Sequence, residues 1–197
     1  MDKFVPFSST FSWEIISLSV PDAVFLSLVV FVILRLTCFR KMKFSITLLC
    51  GAFACYLGIV AVLALLPVFP AQFAFSWKNF ASEFRGLSLI PFFWSAQMIQ
   101  NGFSSGSIET VFYNLGGNLL LLMPFGVLVP SIWRTRPIKT ILLAVISAFC
   151  LELLQFLENV LHIGSHNVSF DDFFLNAFGC ILAYLLYLGL RTAVKKA

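Results

Sequence analysis

The sequence predicts an all-α, polytopic transmembrane helix bundle of about five spans, and three observations carry that expectation. Hydrophobic residues make up 60% of the 197 and charged residues only 11%, where soluble globular domains run at about 25% charged. Mean hydropathy is +0.96, and 13 Lys and Arg with 9 Asp and Glu are too few to coat the surface of a soluble fold. Apolar runs bounded by charges or turn residues repeatedly reach the roughly 20 residues that a helix needs to cross a bilayer. The same figures exclude a disordered chain, which needs low hydrophobicity, and a secreted disulfide scaffold, which needs more cysteines in less sequence. They also argue against nucleic-acid binding, because a net charge of +4 is small and, by the topology below, divided between two sides of a membrane.

The first span runs from about Val20 to Phe39, with Pro21 where a first helical turn accepts it. The second covers about Phe44 to Leu66 and stops at Pro67. The third covers about Val111 to Trp133, the fourth about Ile138 to Val160 and the fifth about Phe173 to Leu190. Orientation follows from Lys and Arg, whose excess lies in cytoplasmic loops. Arg35, Arg40, Lys41 and Lys43 flank the first loop; Arg134, Arg136 and Lys139 mark the third; Arg191, Lys195 and Lys196 lie in the C-terminal tail. Only Lys3, Lys78 and Arg85 remain for the other side. The bias predicts an N-terminus outside and a C-terminus in the cytoplasm.

The chain accordingly divides into an N-terminal tail with two spans (1–66), a domain of one exterior loop and three spans (67–190) and a basic cytoplasmic tail (191–197). No lysine-rich start leads into a short apolar run with a small-residue cleavage site, so the first span is expected to stay as a permanent helix. Cys38, Cys50, Cys55, Cys150 and Cys180 fall in or at the ends of spans. They show no CxxC or Cys/His ligand spacing, which predicts packing residues rather than a disulfide or a zinc site.

Residues 67–110 form a connection longer than most, and it is expected to hold structure or function. Trp77, Phe80, Phe84 and Leu87 recur at helical spacing with Lys78, Asn79, Ser82, Glu83 and Arg85 between them. That is the pattern of a short amphipathic helix lying in the membrane interface. The run Leu87–Trp94 is apolar but too short to cross, and it is expected to dip into the outer leaflet or to cover the bundle. An aromatic interface belt accounts for the same residues equally well.

Polar side chains inside spans are costly and mark packing or functional sites. The third span holds Asn114 and Asn118, the fourth Glu152 and Gln155, and the fifth opens with Asp171 and Asp172 and continues to Asn176. Asn114 with Asn118, Glu152 with Gln155, and Asp172 with Asn176 each share a helix face. At 1.5 Å per residue, Asn118 lies about 10 Å and Glu152 about 12 Å from the exterior ends of their helices. The amides can simply bond helices together, and an aspartate at a helix start can cap it. Glu152 resists that reading, because a mid-span carboxylate must be paired, hydrated or protonated. Arg85 is its best exterior partner, with His162 and His166 as alternatives.

Three separated blocks resemble the VanZ-like family of bacterial membrane proteins, named for a protein associated with teicoplanin resistance. The first is Arg85-Gly-Leu-Ser-Leu-Ile-Pro-Phe92. The second is Asn114-Leu-Gly-Gly-Asn-Leu-Leu-Leu-Leu-Met-Pro-Phe-Gly126. The third joins Glu152-Leu-Leu-Gln155 to Asp171-Asp-Phe-Phe-Leu-Asn-Ala-Phe-Gly179. The blocks occur in the family's order over about half the chain. Departures are Ser88 where the family often has Asn, His166 and Ser169 where it usually carries Arg and a further Asp, and Ala183 in place of a common Gly. If the family's polar residues form a site, the resemblance carries over to Arg85, Asn114, Asn118, Glu152, Gln155, Asp171, Asp172 and Asn176.

The resemblance implies a cell-membrane protein with an accessory role at the envelope and an effect on drugs such as teicoplanin, and it brings no agreed reaction. One expectation is an outer-leaflet polar cavity that engages a membrane lipid, a lipid-linked envelope precursor or an amphiphilic glycopeptide. A second is an enzyme acting on a lipid head group with Glu152 as acid or base, and Asp171 and Asp172 holding a divalent cation. The chain has no serine or cysteine nucleophile motif and no phosphate-cradling glycine loop, and no cofactor is expected. A third is a structural scaffold or partner-binding protein.

Overall fold

The computed structural model describes residues 16–37, 43–87 and 90–196. The N-terminal tail, Cys38, Arg40, Lys41, Ser88 and the Lys195 and Lys196 side chains, each part of the sequence reading, lie outside what is described. Among the described residues the regular structure is helical: α1 (Val20–Thr37), α2 (Phe44–Leu65), α3 (Trp77–Gly86), α4 (Phe93–Ser105), α5 (Ile108–Trp133), α6 (Pro137–Val160) and α7 (Phe170–Lys196). Helices α1, α2, α5, α6 and α7 are long and apolar enough to cross a membrane. The predicted α3 forms where the amphipathic spacing places it.

Boundaries differ from the sequence reading most at the third and fifth spans, and α7 runs on to Lys196 where the fifth span was expected to end near Leu190. The third span begins at Ile108 rather than Val111, and the fifth begins at Phe170 rather than Phe173. The latter has a local cause: the Ser169 hydroxyl accepts from the Asp172 backbone N–H at 3.1 Å and donates to Asp172 Oδ2 at 2.9 Å. This Ser-x-x-Asp cap starts the helix three residues early. The same Ser-x-x-Asp device opens α1, where Ser19 and Asp22 bond each other reciprocally.

Helix α4 is a larger departure, since the sequence reading placed no helix over 93–105. Its polar residues break any clear apolar stripe, and its N-cap residue Phe92, in the left-handed region at φ 61°, has no side chain able to cap. The cap comes from 79 residues away, as described below. The α5 span is also not a uniform helix: a π turn over Phe112–Gly116 and a break at Leu122, just before Pro124, interrupt it. Such turns change the side-chain register along a helix and recur at functional sites.

The chain forms two compact units, one made of residues up to Phe80 with Leu157–His166, the other of Ala81–Phe156 with Asn167–Ala197. In the first, α1 and α2 pack closely because Gly58 admits Ala23 and Ser27. The Leu161–His166 turn is tied to the segment after α2 by Phe69 N–H to the Ile163 carbonyl (2.7 Å) and Ala74 N–H to the Leu161 carbonyl (3.0 Å). In the second unit, Leu122, Ala144, Ala148, Ala177 and Cys180 form the core, with Phe125, Phe173 and Ile181 against it. Small residues dominate because α5 and α7 touch backbone to backbone. A Cβ on Gly126 would overlap the Cys180 carbonyl, and one on Gly179 the Leu119 carbonyl. Small-residue contacts of this kind let helices approach in lipid, where no hydrophobic force joins them. The cysteines Cys50, Cys55, Cys150 and Cys180 are free.

Candidate functional site

The second unit gathers most of the polar residues singled out in the sequence, and it sorts them into two groups. The first centres on Asp171, which is 1% exposed. Its Oδ1 accepts from the Phe92 N–H at 2.5 Å, and its Oδ2 accepts from the Ser95 N–H at 2.7 Å and the Ser95 hydroxyl at 2.8 Å. These are the first free N–H groups of α4, so a carboxylate from α7 caps the N-terminus of another helix and meets the positive end of its dipole. Stacking of Phe92 on Phe174, centroids 5.9 Å apart, closes the same junction. An aspartate was expected to cap its own helix; Asp172 does so through Ser169, whereas Asp171 caps α4.

The second group joins three helices. Asn118 on α5 donates through Nδ2 to Asp172 Oδ1 on α7. One turn further along α7, Asn176 Nδ2 approaches Glu152 Oε1 on α6 at 3.5 Å, the long limit of a hydrogen bond. Glu152 is 8% exposed and Asn176 is 1% exposed. Glu152 Oε2 and Asn176 Oδ1 have no hydrogen-bond partner among the described residues. Asp172 is the nearest negative charge bearing on Glu152, and the Ser169 backbone adjoins it. The cluster is therefore rich in acceptors and short of donors.

Other expectations are corrected. Arg85 does not pair with Glu152: it is exposed, and its Nε donates to the Ala81 carbonyl one turn back at 3.0 Å, so the guanidinium stays on the polar face of its own amphipathic helix. His162 and His166 also have other partners, both in the first unit. His162 contacts Asn79, and His166 Nε2 lies 2.7 Å from Glu158 Oε2. Asn159 brackets His166, donating to its carbonyl at 2.7 Å and accepting from its N–H at 2.8 Å. Asn114 stays outside the cluster, donating to the Thr110 carbonyl of its own helix at 2.8 Å. Gln155 is half-buried on α6, three residues beyond Glu152.

Asp171 and Asp172 turn to different donors. Among the described residues no group of three or more His, Cys, Asp or Glu is placed to hold a metal. Ser95 and Ser169 are neighbours of these carboxylates to which the sequence reading gave no role. The Ser-x-x-Asp spacing at Ser169 was a usable signal, whereas nothing local announces Ser95 as a partner of Asp171.

A family model described as VanZ/LLP1 matches residues 53–191. The chain belongs to the VanZ-like family. With five helices of spanning length, it is a multi-pass membrane protein. No curated protein and no solved structure matches it. Within the VanZ-like stretch the motif residues divide by task. Gly126 and Gly179 let α5 and α7 meet, Asp171 ties α4 to α7, and Asn118, Glu152, Asp172 and Asn176 form the polar cluster.

Proposed function

We propose that this VanZ-like protein engages the polar head of a membrane amphiphile at the outer leaflet through the Glu152 cluster. The role is accessory rather than catalytic, at the cell envelope. The ligand is a lipid-linked envelope precursor or an acylated glycopeptide of the teicoplanin kind.

One observation carries this reading: two buried acceptors, Glu152 Oε2 and Asn176 Oδ1, without a donor among the described residues. Leaving such groups unmet costs about 1–3 kcal/mol each. A head group that brings hydroxyl or ammonium donors would satisfy them, and an anionic group would not. The exposed Phe92, Phe93 and Phe103 of the same unit are suited to lie against an acyl tail. Expression in a susceptible host is expected to raise the inhibitory concentration of teicoplanin more than that of vancomycin, which lacks the tail, and Glu152→Gln is expected to abolish the difference. Equal shifts for the two drugs, or none, would overturn the proposal.

A second reading, a lipid-head-group enzyme with Glu152 as acid or base, is favoured by the proximity of Asp172 to Glu152, since paired carboxyl groups are common acid–base machinery. It requires turnover of a labelled lipid by purified protein, lost in Glu152→Gln. Binding without turnover removes it.

A further inference from the structure

Helix α4 and the first turn of α5 enclose a groove of about 400 Å³, within the range of about 300–1,000 Å³ usual for small-ligand clefts. None of its lining residues belongs to the Glu152 cluster. Trp94, Gln97, Asn101 and Ser105 line it from α4, and Ser107 and Thr110 from the turn and the start of α5. Gln97, Asn101 and Ser105 follow at four-residue spacing and so form one stripe along α4. Gly102 makes room for α5, because a Cβ there would overlap the Val111 side chain. The frame is fixed at its start by Asp171, whose buried carboxylate holds the first turn of α4.

The lining carries no charged side chain, which removes the usual anchors for phosphate, carboxylate or ammonium groups. It does carry amides, which both donate and accept, and hydroxyls. The Ser105 proton is taken by the Asn101 carbonyl at 2.7 Å, which leaves that hydroxyl as an acceptor. Met98 and Val111 complete the lining; an acyl chain laid against them would still strip water from the amides and hydroxyls and replace none of those bonds. A sugar hydroxyl replaces them, because it too donates and accepts, while the apolar face of a pyranose ring suits the indole of half-exposed Trp94.

We infer that this groove is a binding site for an uncharged glycosyl unit, with Trp94 as the platform for the ring and Gln97 and Asn101 as partners for its hydroxyls. The sugar can arrive on a membrane glycolipid or as a free saccharide, and both present the same chemistry. The site is independent of the reading of the Glu152 cluster.

The test uses the full chain in phosphatidylglycerol nanodiscs doped with diglucosyl diacylglycerol or with the same diacylglycerol lacking the sugar, and native mass spectrometry counts the lipid that stays bound. Retention of the glycolipid over the plain lipid by about fivefold or more is expected, the worth of one or more net hydrogen bonds. Trp94→Ala and Asn101→Leu should each remove most of that preference. Both side chains are exposed, so folded yield should hold. Glu152→Gln should leave the preference intact, which separates this site from the proposed function. Added maltose that displaces the glycolipid would identify a free saccharide as a ligand; failure of maltose to displace it would assign the site to the glycolipid. Equal retention of the two lipids, or a preference that survives both groove variants, would overturn the inference.

Discussion

Asp171 and Glu152 are both carboxylates buried in the same unit, 1% and 8% exposed, yet their surroundings are opposites. Asp171 receives three donors at 2.5–2.8 Å from the start of α4. Glu152 has the Asn176 amide at 3.5 Å and the Ser169 backbone beside it, and its Oε2 has no hydrogen-bond partner among the described residues. The difference teaches that burial of a charge does not by itself mark a site. Asp171 is built into the architecture, because every donor near it is already used. Glu152 keeps capacity that the protein leaves unfilled, and that capacity is what a ligand can use.

The largest expected effect comes from removing the satisfied member. Asp171→Ala strands two backbone N–H groups and a hydroxyl, and should lower stability by about 3 kcal/mol or more. Thermal unfolding in detergent would report the loss, and hydrogen exchange should quicken first at the start of α4. A variant as stable as the parent would break the comparison, since Asp171 would then hold nothing in place.

Glu152→Gln should behave oppositely. The Gln amide can donate to Asn176 Oδ1, so the change meets an acceptor. Stability should hold or rise by about 1 kcal/mol, while the teicoplanin-selective effect disappears. If Glu152→Gln instead lowers folded yield as Asp171→Ala does, the polar cluster is structural, and the scaffold reading replaces the binding one.

The spans were legible because lipid imposes a crude requirement, about 20 apolar residues in a row, and the amphipathic spacing of α3 was legible for a related reason. The polar residues of the site could be picked out one by one, since a carboxylate or amide stands out in an apolar run. Their sorting was not legible. Whether Asp171 is satisfied depends on Phe92 and Ser95, which lie nearly 80 residues before it, and no local pattern encodes that contact. The same remoteness hid α4, whose cap arrives from α7, and misplaced Arg85, whose nearest acceptor is in its own helix.

Ser169 gives a smaller and more local test. Its hydroxyl both caps α7 and steadies Asp172, so it lies between the two behaviours. Ser169→Ala should cost about 1 kcal/mol through the lost cap. It should also free Asp172 Oδ2, adding one more unmet acceptor beside Glu152. The drug effect, measured at equal protein level, should therefore survive. Complete loss of the effect would move Ser169 into the binding site itself.

The smallest effect is expected at Asn114, and it decides how far the site extends. Motif position alone groups Asn114 with Asn118, yet Asn118 reaches Asp172 on α7 while Asn114 bonds back to the Thr110 carbonyl within α5. A side chain bonded to its own helix, in place of a bond that water or a neighbouring turn can supply, contributes little to stability. Asn114→Ala should therefore change unfolding by no more than about 0.5 kcal/mol and leave the drug effect intact, whereas Asn118→Ala removes the donor to Asp172 and should weaken both. An Asn114 variant that loses the effect at full stability would mean that the π turn over Phe112–Gly116 re-aims this amide toward the ligand when one binds. The site would then run along α5 from Asn118 to Asn114.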